Sequence, residues 1–465
     1  MSFSVFIPLS FLTLVFVFSW AARKVRNLGT TRTLSFFLAP KSLNWFLVAF
    51  SAGTTANTGF IVTSAIAMGF GLGLYSLLFP LSFFLGDLFY WQFFARRINH
   101  LASVNNSRTI PEFITAKITG STKALKVFIS VCIIISAVMY TIAQWNAAGK
   151  IFNGFYNLSA TYCISIFFLI VLAYCLIGGF FSSVYADIVQ GLFMILLATI
   201  TTLYCIHQIP NFKDQLVGLF KDFVVNFKFF SENGVVFILG WALASIGFSF
   251  SQPHILDKII AAKDESNVSK ARYVYMFFVQ YTWIGMTFLG VLIKLLYTDI
   301  KTIEPERALA TFISFNSNEV LKGFVVSGVF ATIASTAASL MISISNYLAS
   351  DIYIESPFLK KINNRVTLTF VGLITIIPSL LLVNSKVFDL TIFAVSLGAV
   401  LAPCMLIKIF NFKHNSLSMI VCLTLACCVT VLFKYFGLSQ NILYDIPVGT
   451  ALGLLGNFIA VKLSS

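Results

Sequence analysis

The sequence predicts an all-α integral membrane protein of thirteen transmembrane helices. Its core is expected to be a 5+5 inverted repeat in which helices 2 and 7 are broken. Three observations predict this. Apolar residues make up 58% of the 465 and charged residues only 10%, against about 25% charged in a soluble domain. Apolar windows of about 20 residues recur along the whole chain. Two of these windows are interrupted mid-span, by Ser51-Ala-Gly-Thr-Thr-Ala-Asn-Thr-Gly-Phe60 and by Gly240-Trp-Ala-Leu-Ala-Ser-Ile-Gly-Phe-Ser-Phe-Ser-Gln-Pro-His254. Backbone released from helical hydrogen bonding is costly in lipid and is tolerated where it lines a protein-enclosed cavity. Paired interruptions in two halves of a chain point to a substrate and ion site.

The thirteen windows run over 3–22, 43–69, 71–95, 124–150, 160–181, 184–208, 235–259, 274–299, 320–350, 365–384, 388–411, 416–437 and 441–463. The first has no basic residues before it and several after it, the pattern of a retained helix with a translocated N-terminus. The broken windows are five spans apart, so the repeats are expected to cover about 43–208 and 235–411. An odd repeat length inverts one copy relative to the other. Helices 3–22, 416–437 and 441–463 are additions to one transmembrane domain, 1–465. Residues 209–234, with Lys213, Asp214, Lys221, Asp222, Lys228 and Glu232, read as an outside loop with a short amphipathic helix. In 300–319, Pro305 is placed to begin a short helix.

The net charge of +14 does not indicate nucleic-acid binding. With the N-terminus outside, 21 of the 31 Lys and Arg fall on the cytoplasmic side, among them Arg23, Lys24, Arg26, Arg32, Arg96, Arg97, Lys126, Lys258, Lys263, Lys360 and Lys361. The positive-inside rule therefore sets N-out, C-in. The eight cysteines lie in apolar windows without metal-ligand spacing and read as small core residues. No nucleophile–base motif and no phosphate-cradling loop is visible, so the chain does not read as an enzyme.

Charged positions inside windows each carry two readings. Asp87 lies deep in the third span, where a carboxylate defaults to a functional hypothesis: a water-filled vestibule or a proton-coupling group. The competing reading is a carboxyl bonded to neighbouring helices, near Arg96 and Arg97. Asp187 at the start of the sixth span has the bland reading of a helix N-cap. Lys294 reads as snorkelling to the interface. Gln144 and Asn146 read first as interhelical hydrogen-bond formers. Trp241, Phe248 and Phe250 are the aromatics to weigh as pocket walls.

Five motifs, in order, resemble the sodium:solute symporter family, and most closely its bacterial sodium/proline branch. They are Phe37-Leu-Ala-Pro-Lys-Ser-Leu43 with Ser51-Ala-Gly53, Thr109-Ile-Pro-Glu-Phe113, and Gly178-Gly-Phe leading to Ala186-Asp-Ile-Val-Gln-Gly191. Gln252-Pro-His-Ile-Leu256 follows, with Ser251 in place of a Gly, and then Ala334-Ser-Thr336 through Ser350-Asp-Ile-Tyr353. The resemblance spans about residues 36–460. It implies a LeuT-type core, sodium-coupled uptake of a small organic solute such as an amino acid by alternating access, and a multi-pass protein of the bacterial cytoplasmic membrane. Its partners would be sodium, the solute and the bilayer, with no cofactor beyond the coupling ion and no nucleic acid.

Carried over by position, sodium would be held by the carbonyls of Thr55, Asn57 and Thr332 and the hydroxyls of Ser335 and Thr336. Hard cations take such neutral oxygens, although Ser and Thr in membrane helices also bond back to the preceding turn. The solute would lie between Thr54, Thr58 and Gly59 on one side and Trp241, Ser245, Phe248, Ser249 and Gln252 on the other. The resemblance gives Asp187 a second ion station or a gating role, with Asp87 as a further candidate. Two departures stand out. Ala56 replaces the Asp of the proline branch, and Ser245 and Ser249 replace its aromatics. A proton-coupled or uncoupled carrier, or a transporter-like solute sensor, remains as an alternative.

Overall fold

The structure is a computed structural model and describes residues 3–27, 36–37, 41–118, 120–250, 252–297, 304–353, 362–438 and 445–464. Arg32, 38–40, Ser251, Lys360 and Lys361 lie outside these, as do the side chains of Arg23, Lys24, Arg26, Asp222, Lys228 and Glu232. The described chain is helical throughout. In order the helices are α1 (Phe3–Asn27), α2 (Trp45–Ala56), α3 (Ile66–Leu72), α4 (Leu78–Tyr90), α5 (Arg96–Val104), α6 (Ile110–Thr115) and α7 (Lys123–Tyr156). Then come α8 (Ala160–Gly178), α9 (Phe180–Gln208), α10 (Phe212–Ser249), α11 (Pro253–Ala261), α12 (Glu265–Leu296) and α13 (Ala308–Asn316). The last six are α14 (Glu319–Tyr347), α15 (Asn364–Leu381), α16 (Val387–Ala399), α17 (Ala402–Phe410), α18 (Ser416–Tyr435) and α19 (Asp445–Ser464).

Among the described residues, eleven helical runs are long and apolar enough to cross a membrane, or twelve if the bent pair Gly234–Ser249 and Pro253–Ala261 is one span. The protein is thus a multi-pass membrane protein. The expected thirteen differs because α2, with 12 residues, is too short to count alone, while Ile61–Val104 forms one run of 44.

Both expected breaks are present and share one backbone conformation. Asn57 caps the C-terminal end of α2 at φ −83, ψ 92, and Gln252 caps the N-terminal end of α11 at φ −81, ψ 93. Each is an extended residue bordering a helical segment. Pro253 occupies the first turn of α11, where its missing N–H costs nothing, and the helix bends there by 60°. The broken elements are tied together away from their breaks. Leu43 N–H donates to Ala261 O (3.2 Å), and Lys263 N–H donates to Leu43 O (3.0 Å).

α14 runs through the centre of the bundle, its apolar window wholly buried. It packs on α1, α7, α9, α11, α2 and α15, while α12 packs on α2, α3 and α9. A close crossing fixes α12 against α3. A Cβ at Gly290 would lie 2.9 Å from the carbonyl carbon of Ile66 and 3.0 Å from Gly69 Cα. Gly73, at φ +63, turns the chain from α3 into α4.

The expected outside loop over 209–234 is instead the first part of α10, a helix of 38 residues. No Pro falls inside it, so the amphipathic segment continues into the span. Pro305 begins a short 3₁₀ turn, Pro305–Arg307, that leads into α13.

Candidate functional site

The break in α2 leaves carbonyl oxygens facing α14. Ser335 Oγ lies 3.3 Å from Thr54 O and 3.2 Å from Thr332 O. Thr336 Oγ1 lies 3.0 Å from Thr55 O and 3.5 Å from Asn57 O. All five residues expected at the ion site therefore meet, and Thr54 adds a carbonyl that sequence reasoning did not name. The oxygens are neutral, buried and drawn from two helices, a donor set suited to a hard monovalent cation. Asn57 is held by Thr282 Oγ1, which donates to its Oδ1 at 2.7 Å. The hydroxyl of Thr332 is not part of this cluster; it donates to Gly328 O within its own helix.

A second cluster lies one turn away on α2; it holds Asp187, expected as an ion station or gate, and Lys258, which sequence reasoning did not name as a site residue. Lys258 reads from sequence as a cytoplasmic loop charge, yet it is buried on α11. Its Nζ donates to Thr55 Oγ1 (2.8 Å), Ser51 O (3.0 Å) and Ser339 Oγ (3.3 Å), and lies 3.4 Å from Asp187 Oδ2. Ser51 Oγ donates to the same carboxylate oxygen at 2.5 Å. Asp187 is therefore no N-cap: α9 starts at Phe180 with Gly179 as its cap. The carboxylate and the ammonium form a buried ion pair beside the oxygen cluster. The available signal was a Lys inside an apolar half-helix directly after the second break.

The remaining expected positions divide around a cavity of about 40 Å³ beside Ala56. Thr58, Phe248, Gln252 and Asp87 line it. Ser245 and Ser249 stand behind Asp87 and donate to its Oδ1 at 3.0 and 2.9 Å, with Tyr275 Oη 3.4 Å from Oδ2. Asp87 is thus bonded to two neighbouring helices, as its competing reading has it, and also lines this cavity, while Arg96 binds Glu265 at 2.9 Å. Gly59 contributes backbone only: its N–H donates to Gln144 Oε1 at 2.7 Å. Thr54 turns away and donates to Asp187 O at 3.0 Å. Trp241 is not in the lining; its ring packs edge-on to Phe79, centroids 4.8 Å apart. Phe250 packs on Tyr90 and Phe94, also away from the cavity.

The cavity wall that sequence reasoning missed is aromatic. Phe60, Phe79, Phe83 and Trp283 line it, with Trp283 centred 5.8, 5.8 and 5.3 Å from Phe60, Phe79 and Phe83. These residues come from three separate segments, Phe79 and Phe83 both from α4, so no single local pattern marks them.

Glu306, in the turn before α13, ties several elements together. It accepts from Lys150 Nζ (2.5 Å), Ser64 Oγ (3.2 Å), Val387 N–H (3.2 Å) and Phe388 N–H (3.0 Å). Asn146 makes the interhelical bonds read for it, with Leu382 O and Ser379 Oγ, and Lys294 donates to Gly71 O at 3.2 Å.

The chain is similar to known proteins in sequence and in fold. The chain is 24% identical over 443 residues to the high-affinity proline transporter of Bacillus subtilis, covering 92% of each chain. It is 22% identical to the sodium/proline symporter of Escherichia coli, covering 90% of this chain and 86% of that one. Its fold matches that of a Na+-coupled sialic acid symporter in a substrate-bound outward-open state, with a TM-score of 0.80 at 14% identity, over 100% of this chain and 98% of that one. It also matches a closed nucleobase-cation-symport-1 family transporter, with a TM-score of 0.59 at 12% identity, over 91% and 94%. The sodium:solute symporter family model matches residues 36–431. A broken α2 facing the Ser335–Thr336 pair, within a chain matched over most of its length, makes this protein a member of the sodium:solute symporter family: a sodium-coupled transporter of solute and not an enzyme.

Proposed function

We propose that the protein imports a small organic solute with sodium across the bacterial cytoplasmic membrane by alternating access. Thirteen spans are proposed, N-terminus outside, with Trp45–Leu72 and Gly234–Ala261 as the two broken ones. The core is read as two inverted LeuT-type repeats within one transmembrane domain. The observation that carries the reading is the convergence of the Thr54, Thr55, Asn57 and Thr332 carbonyls on the Ser335 and Thr336 hydroxyls. Sodium bound there would brace the break in α2 directly beside the cavity, linking ion binding to the shape of the solute pocket. Asp187 and Lys258 border the ion's path at the next turn.

An uncoupled carrier is the second reading, and one observation favours it. The Lys258 ammonium, 2.8 Å from Thr55 Oγ1, places a fixed positive charge beside the oxygens proposed for sodium. Like charges repel most strongly where the dielectric is low. Uptake into proteoliposomes separates the two readings. Accumulation of a labelled small organic solute drawn from a panel should require an inward sodium gradient and vanish in potassium. Equal equilibration with and without sodium would establish the uncoupled carrier.

A further inference from the structure

We propose that the solute is a compact organic cation, a small alkylated ammonium without a carboxylate, and that Asp87 is its counter-ion. This rests on the cavity beside Ala56 being the solute site of a symporter. Asp87 is 8% exposed and lines that cavity. Its donors are the neutral hydroxyls of Ser245 and Ser249, with Tyr275 Oη at the longer distance. Among the described residues no Lys, Arg or His forms an ion pair with it, and no cationic side chain lines the cavity. Hydroxyl donors orient the carboxylate and leave its charge uncompensated, and a buried charge is costly until it is paired. The wall opposite completes the chemistry. Phe60, Phe79, Phe83 and Trp283 also line the cavity, and aromatic rings attract an alkylated ammonium through the ring quadrupole.

The same geometry disfavours a zwitterion. A carboxylate in such a cavity would seek the free N–H groups of the half-helix after the break. Here the Gly59 N–H donates to Gln144 Oε1 (2.7 Å) and the Phe60 N–H to Thr58 Oγ1 (3.1 Å). Both donors are committed. The departures from the proline branch become one coherent change. Ala56, where that branch carries an acid, and Asp87 both line this cavity, and the two serines that stand in place of aromatics are the ones that donate to Asp87.

The test uses the full chain in lipid nanodiscs, with binding read by thermal shift and by labelled-ligand titration. The probes are tetramethylammonium, choline, proline, glycine betaine and mannitol, each in sodium and in potassium. Tetramethylammonium and choline should bind and stabilise the protein, whereas proline, glycine betaine and mannitol should not. Asp87→Asn should weaken choline binding roughly thirtyfold or more, the effect of removing one member of a buried charge pair. Its thermal shift with sodium alone should persist, since the carboxylate is not among the oxygens around Ser335. Trp283→Leu should weaken choline binding about fivefold, and it decides the matter if Asp87→Asn does not fold. Failure of both organic cations to bind, or undiminished binding in the folded variants, overturns the proposal. Sodium giving no stabilisation while choline binds through Asp87 supports the cation site and overturns sodium coupling instead.

Discussion

Ser335 and Thr336 each spend a hydroxyl on a carbonyl of the broken helix, at 3.3 Å to Thr54 O and 3.0 Å to Thr55 O. To ligate sodium, each must turn its proton aside and present a lone pair. Ser335→Ala and Thr336→Ala remove one neutral oxygen apiece. Each should raise the half-saturating sodium concentration for uptake several-fold, and the double variant more, with expression preserved because neither opens a large cavity. Sodium titration of uptake checks this; an unchanged half-saturation in the double variant would exclude both residues from the site. These two residues were named through the family resemblance, carried over by position; the pair alone has the ordinary reading of Ser and Thr that bond back to the preceding turn. Lys258 was not legible. In one dimension it lies five residues from Lys263 and resembles another cytoplasmic charge; only the fold carries it back against Asp187. Asp87 was legible as an anomaly, but its direction was not, because Ser245, Ser249 and Tyr275 reach it from other helices.

At the scale of elements, both broken helices were visible because Gly, Ser, Thr, Asn and Pro interrupt otherwise smooth apolar runs. The unbroken α10 was not visible, since charge along 212–233 resembles a loop while the backbone has no reason to stop. Helix crossings also escape sequence pattern. α3 and α12 meet at Gly69 and Gly290, and a side chain at 290 must displace backbone rather than a flexible tip. Gly290→Leu should therefore cost on the order of 1–3 kcal/mol or more, as overpacking does. The expected outcome is a lowered melting temperature in detergent with sodium-induced stabilisation reduced as well, because α12 also carries Thr282, the partner of Asn57. Gly71→Leu meets open space in the described structure and should leave the melting temperature nearly unchanged. Equal losses at the two positions would argue against a packing origin.

Over the whole molecule, orientation and gating can be tested together. The positive-inside bias predicts that a cysteine placed at 270 in a cysteine-free background reacts only from the cytoplasmic side; labelling only from outside would reverse the topology. Glu306 joins the turn before α13 to α7, to the start of α16 and to Ser64. In the proposed topology these contacts close the outer end of the cavity. Glu306→Gln keeps the shape but loses the charge that binds Lys150. A reporter cysteine at Phe60 should then react faster with an impermeant thiol reagent added outside, by about an order of magnitude if a buried ion pair of 1–2 kcal/mol holds the closed form. An unchanged labelling rate would show that the outer end is closed by other contacts.

The Lys258–Asp187 pair has an electrical consequence. A membrane voltage does work on net charge, about 2.3 kcal/mol per elementary charge per 100 mV. Nζ and Oδ2 are 3.4 Å apart, so the two charges cancel wherever in the field the pair resides. Voltage then acts on the cargo and not on this part of the carrier. Lys258→Met would leave one carboxylate exposed to the field. Charging currents recorded from proteoliposomes on a solid support, without solute, should grow in that variant and depend more steeply on voltage. A carrier that needs its own ammonium to stay electrically silent is one whose gradient dependence rests on what it carries.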